Sequence, residues 1–179
     1  MIQRIQSVFL FIIAMLMLVT IFQSTWKNTG LYRNSSERVV VILDPIKTMI
    51  HGISGDGDSV QDENNVKPES KSMILEQIDN YYIGALLLLI SLNSMFIIFQ
   101  FKKRMLQIKL AGLNYLLLCG VMVIYYLSIK NANGIISEVG SGQFLIGFYV
   151  PLIAIILNFL VIRFIKKDEA LVRSVDRIR

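Results

Sequence analysis

Residues 83–129 read IGALLLLISLNSMFIIFQFKKRMLQIKLAGLNYLLLCGVMVIYYLSI. Two uncharged apolar runs, 83–99 and 110–129, flank a link whose only charges are Lys102, Lys103, Arg104 and Lys109. Each run is long enough to cross a hydrocarbon layer of roughly 30 Å at about 1.5 Å per residue. The link is too short for anything but a helical hairpin turn. Working outward, residues 5–22 and 144–162 also lack Asp, Glu, Lys, Arg and His. The connection between the first and second runs holds nine acids against six bases. Cation-rich connectors stay in the cytoplasm. The expected fold class is therefore an all-α integral membrane protein, a four-helix transmembrane bundle with both termini inside.

The same sorting explains the net charge of +5 without nucleic acid, because Arg4, the 102–109 link and the tail from Arg163 carry most of it. Specific nucleic-acid binding is not expected. The single cysteine, Cys119, forms neither an internal disulfide nor a cysteine-based metal site. The first run is longer than a usual signal core, and FQSTWKN follows it rather than an A-x-A-like site, so it reads as an uncleaved span.

The domain layout follows. Residues 1–22 form span one, with Trp26 expected at the outer interface. Residues 23–80 form an outer, mostly irregular loop. Val39 to Leu43 suits a short strand within a possible hairpin near 31–43, and the polar stretch 51–71 is expected to be mobile. Ser72 to Tyr82 reads as a helical lead-in with Ser72 as N-cap. Span two covers 81–101, the basic link 102–108 and span three 109–129. An outer loop at 130–143 and span four at 144–165, with Pro151 inside it, complete the bundle. The tail 166–179 reads as an amphipathic helix, with Leu171, Val172, Val175 and Ile178 on one face, lying along the anionic inner leaflet.

No ionisable residue lies at depth, which argues against proton pumps, ion-coupled carriers and voltage sensors. The interior polar candidates are Gln6, Asn93, Asn114 and Asn158. Counted from Lys109 and Arg163, Asn114 and Asn158 lie roughly 7–8 Å from the inner boundary. Counted from Lys102, Asn93 lies roughly 12–14 Å in. They read first as interhelical hydrogen-bonding groups and second as a polar inner vestibule. The outer GDGDSVQDE fails as a calcium loop, because a count from Asp56 puts Gln61 at the required glycine and Lys67 at the closing acid. His51, the sole histidine, has no partner pattern around it. No catalytic, cofactor or metal residue is expected, and the chain is not expected to be an enzyme.

The opening MIQRIQ, Met1 to Gln6, and the closing KDEALVRSVDRIR, Lys167 to Arg179, resemble a family of small four-span membrane proteins from Bacteroidota, catalogued as domain of unknown function 4293. The link residues Gln107, Ile108 and Lys109 fit the same pattern. The resemblance implies a bacterial inner-membrane location and carries no activity. Arg4, Asp168, Glu169, Arg173 and Arg177 lie in these matching ends and are candidates for a cytoplasmic docking surface, with Asp168 or Glu169 pairing with Arg4. The expected function is a non-catalytic accessory or scaffold subunit of a cell-envelope membrane complex. Its partners are the lipid bilayer and a membrane protein or a second copy. The alternative is passive small-molecule or lipid handling through the polar vestibule. A membrane enzyme using His51, Asp56 or Asp58 ranks last.

Overall fold

The computed structural model describes residues 2–32, 38–53, 73–100, 103–139 and 142–176, with all side chains among them except those of residues 2–4, 53, 73, 137–139 and 173–176. Within these residues the chain forms four helices and six strands. They follow in the order α1 (Ile2–Thr20), β1 (Trp26–Tyr32), β2 (Arg38–Leu43), β3 (Lys47–Ile53), β4 (Met73–Asp79), α2 (Tyr81–Phe99), α3 (Arg104–Asn133), β5 (Ile136–Val139), β6 (Gln143–Phe144) and α4 (Ile146–Asp176). Helices α2, α3 and α4 are long and apolar enough to cross a membrane, and the apolar part of α1, Ile5–Thr20, is shorter.

The helices form a ring in which each packs on its sequence neighbours and α1 closes on α4. Residues spaced three and four apart turn inward, such as Leu10, Ile13 and Met17 on α1 and Ile83, Leu87, Ile90 and Ile97 on α2. The outward faces are equally apolar. Leu92 is 62% exposed, Leu116 68% and Ile156 62%.

All strand pairs are antiparallel, and the sheet order is β4-β3-β2-β1-β5, with β6 also on β1. Strand β2 supplies the β-branched residues Val39, Val40, Val41 and Ile42, which suit a pleated surface. A two-residue turn, Pro45–Ile46, joins it to β3, and the Asp44 N–H donates to Lys47 O at 2.9 Å. Trp26, Val39, Val41, Leu43 and Ile50 share one face and pack with Ala132 in the last turn of α3 and Ile136 at the start of β5. The sheet curls toward that face. Three inter-strand spacings of about 4.8 Å separate β1 from β4, yet the Tyr32 hydroxyl reaches Glu76 Oε2 at 3.1 Å.

Four sequence expectations change. The all-α class gives way to helices plus an antiparallel sheet, because both connections contribute strands and several marginal strands become stable together. The expected helical lead-in, Ser72 to Tyr82, is largely strand β4, since the β3 edge takes up its backbone groups. The expected 130–143 loop begins with the last turn of α3, carries β5 and ends in β6, which also takes in Phe144. Trp26, expected at a lipid interface, is 2% exposed inside the sheet core. In addition, α4 runs unbroken through Arg163 to Asp176, so the expected tail helix is part of α4. Most of the stretch expected to be mobile, and Ser72, lie outside the described residues.

The start of α4 rests against the end of the α1 turn, where the Gly147 N–H donates to Ser24 O at 3.2 Å. A Cβ at Gly147 would lie 2.7 Å from Ser24 O and 2.9 Å from Gln23 O, both backbone atoms that cannot swing aside. Gly147→Ala is expected to destabilise the protein by about 1–3 kcal/mol. Gly112→Ala and Gly120→Ala, with open space around them, should be neutral or stabilising by up to about 1 kcal/mol. Unfolding of the purified variants in mixed detergent micelles measures the difference.

Candidate functional site

Ser91, Asn93, Ser94 and Asn114 gather polar side chains at one level in the middle of the bundle. Asn114 on α3 is fully buried, accepts from Asn93 Nδ2 at 3.2 Å and donates to Ser94 Oγ at 2.9 Å. The Ser94 hydroxyl in turn donates to Ile90 O at 2.9 Å. Asn93 also reaches Leu110 O at 3.4 Å. On the other side of α2, Ser91 donates to Ala14 O of α1 at 3.0 Å. One turn nearer the α2–α3 link, Asn158 of α4 donates to Ala111 O at 2.9 Å. The level thus joins α2 to α3, α3 to α4 and α2 to α1.

The structure brings together Asn93 and Asn114, which the sequence reading set at different depths. That estimate counted from Lys109, whereas α3 begins at Arg104. From Arg104, Asn114 is about 15 Å along the helix, level with Asn93. Lys109 lies within the helix, where a long aliphatic stem can carry the charge toward water. Gln6 stands apart from this cluster. It is buried, and its Nε2 has no partner among the described residues. Asn158 Oδ1 is likewise buried without a partner.

A second tie closes the end of the bundle away from the sheet. Gln107 Nε2 donates to Ile97 O at 3.0 Å across the α2–α3 link. Arg104 Nη1 lies 3.2 Å from both Asp168 Oδ2 and Asp168 O on α4. Asp168, expected with Glu169 as a partner for Arg4, pairs with Arg104, a residue read only as a topology charge. The side chains of Arg4 and Arg173, and all of Arg177, lie outside the described residues. Glu169 is half-buried on α4 beside Asp168.

At the sheet end, Asn80 Nδ2 donates to Thr48 Oγ1 at 2.6 Å, and the Tyr82 hydroxyl lies 3.3 Å from Ser128 Oγ. Asn28 Nδ2 donates to Asn133 Oδ1 at 3.0 Å, joining β1 to the last turn of α3. The sequence offered little signal for these contacts, because each joins residues distant in the chain. His51 lies in β3 opposite Val40 and Ile74, with Nδ1 buried and without a partner among the described residues. Asp56 and Asp58 lie outside the described residues.

The profile of the family described as Domain of unknown function (DUF4293) matches residues 2–178. The chain belongs to this family. The matched range takes in all four helices and all six strands. No curated protein matches the chain.

Asn114 makes two side-chain bonds, whereas Asn158 makes one bond to a helix carbonyl and leaves an acceptor unpaired. Interhelical bonds of this kind contribute about 0.6 kcal/mol on average and up to about 1.7. Asn114→Leu should therefore destabilise by about 1–2 kcal/mol, and Asn158→Leu should be near neutral or stabilising. Arg104→Gln combined with Asp168→Asn in a double-mutant cycle should give a coupling of about 0.5–1 kcal/mol, reduced by partial solvent exposure. Equilibrium unfolding in detergent reads all of these.

Proposed function

We propose that the chain is a four-span protein of the bacterial inner membrane with both termini cytoplasmic. In this reading it is a non-catalytic scaffold or accessory subunit that holds its sheet on the outer side of the membrane. The observation that carries the scaffold reading is the sharing of β1. Its pairing with β2 on one side and with β5 and β6 on the other makes one sheet from both outer connections. Asn28 and Asn133 tie that sheet to α3. Such a platform presents a fixed surface to a partner.

The four-span part rests on matched lengths. Exposed apolar or aromatic residues run from Ile5 to Phe22 on α1 and its turn, and from Tyr81 to Phe99 on α2. Comparable faces run between Lys109 and Tyr126 on α3 and between Tyr149 and Lys166 on α4. Each interval is about 25–27 Å, the thickness of a hydrocarbon core to within a turn. The outward face of α1 carries Ile5, Val8, Phe11, Ile12, Met15, Leu18 and Val19, all exposed. In water that face would be a large apolar patch needing cover. Tyr81, Tyr82, Tyr126 and Tyr149 form an exposed aromatic rim at the sheet end, as at a membrane interface. Lys103, Lys109, Arg163, Lys166 and Lys167 gather at the other end, which supports placing that end in the cytoplasm.

A second reading, passive handling of a small molecule or lipid, draws support from the unpaired Gln6 Nε2 and Asn158 Oδ1. The two readings separate by experiment. An alkaline phosphatase fused after residue 60 should be active, and one fused at the C-terminus inactive. Activity of a residue-60 reporter only in the cytosol overturns the topology. Mild-detergent purification should yield a stoichiometric membrane-protein partner. A lone homo-oligomer, together with loss of a phenotype in Asn158→Leu at unchanged abundance, selects the second reading.

A further inference from the structure

We propose that anionic phospholipid headgroups collect on the α3–α4 side of the bundle, at the end away from the sheet. This inference rests on the four-span reading and adds a preferred lipid and a side of the ring. Among the described side chains at this end, every cation belongs to α3, its N-cap or α4; Arg4 of α1 is also at this end, with its side chain outside those described. Lys103, Lys109, Arg163, Lys166 and Lys167 are all exposed. The last turn of α2 ends in Phe99 and Gln100, and the described side chains of α1 begin with the uncharged Ile5, Gln6 and Ser7. Among the described side chains, the charge therefore lies on the α3–α4 side of the ring.

The arrangement fits a headgroup better than an ion in bulk water. Lys109 shares a helix face with Leu113 and Leu116, both exposed and apolar. Arg163 shares one with Ile156 and Phe159, also exposed. Each cation thus terminates an apolar stripe, its stem along acyl chains and its charge at phosphate height. The bonds from Asn158 to Ala111 and from Arg104 to Asp168 fix the register of α3 against α4. That register holds Lys109 and Arg163 within about one helical turn of each other along the bundle axis. Asp168, one of the two acidic side chains described at this end, is held by Arg104 and does not neutralise the exposed cations. The sheet end carries mixed charge instead, with Lys27, Lys47 and Lys130 among Asp44, Glu76 and Asp79.

The test uses the full chain reconstituted in phosphatidylcholine vesicles containing trace spin-labelled phosphatidylglycerol or phosphatidylcholine. At low salt, the immobilised fraction should favour phosphatidylglycerol by about twofold or more, bounded by about fivefold per juxtamembrane cation. The preference should collapse in 1 M NaCl, where the Debye length is about 3 Å. It should fall toward parity in Lys109→Gln/Arg163→Gln/Lys166→Gln and persist in Lys130→Gln, at the sheet end. Should the triple variant fail to insert, the single variants Lys109→Gln and Arg163→Gln and the salt titration decide instead. Equal immobilisation of the two labels by the unaltered protein at low salt overturns the proposal, as does a preference that survives charge removal. Absence of an immobilised component for either label would overturn the four-span reading itself.

Discussion

Strand β1 has two edges, and both are taken. A backbone N–H or C=O buried without a partner costs as much as a lost hydrogen bond, so a central strand needs neighbours on each side. β2 supplies one neighbour from the same connection. The other side is filled from the far end of the sequence, by β5 after α3 and by β6 before α4. The chain therefore returns to the sheet after α3, and the helix ring and the sheet constrain each other. Trp26 shows the consequence. Its place at the start of β1, paired with Leu43 and Phe144, turns the indole into the core over α3 and away from any interface.

The bundle solves a different problem. Its helices satisfy their own backbone groups, and their apolar faces are nearly interchangeable, so packing alone leaves rotation and sliding weakly specified. Polar ties at three heights remove that freedom. Asn28 with Asn133 and Tyr82 with Ser128 act at the sheet end, Asn93 with Asn114 and Ser94 in the middle, and Arg104 with Asp168 at the far end. Each height includes a residue of α3, which runs from the Arg104–Asp168 tie to the sheet.

Much of this was legible in the sequence, and the reason is length. Uninterrupted apolar runs such as 83–99 leave a helix as the economical way to bury backbone in an apolar setting. The strands were less legible because their stability is not local. MILEQID has apolar residues at 74, 75 and 78 that suit one face of a helix, and only the β3 edge, separated by a long polar stretch, makes it a strand. β5 and β6 are too short to announce themselves. Among the interior amides, the identities of Asn93, Asn114 and Asn158 could be read, but their partners could not. A helix that starts at Arg104 instead of Lys109 moves Asn114 by more than a turn and brings it level with Asn93.

The asymmetry of the ties bears on α1. Its contact with α2 in the polar level runs through a backbone carbonyl, Ala14 O, which any residue could offer. Its contact with α4 includes the stacked rings of Phe9 and Phe164, 6.0 Å apart, which tolerate sliding better than a paired amide does. Yet α1 leads through five residues into β1, the strand on which the sheet depends. There the constraint is firm. Thr25 N–H and Oγ1–H both donate to Leu43 O, at 2.8 and 2.7 Å, and Thr25 O accepts from the Leu145 N–H at 3.0 Å. The height of α1 in the bundle is thus set from the sheet downward, through Thr25 and the close approach of Gly147 to Ser24. The sheet is a structural part of the bundle as well as the surface it presents.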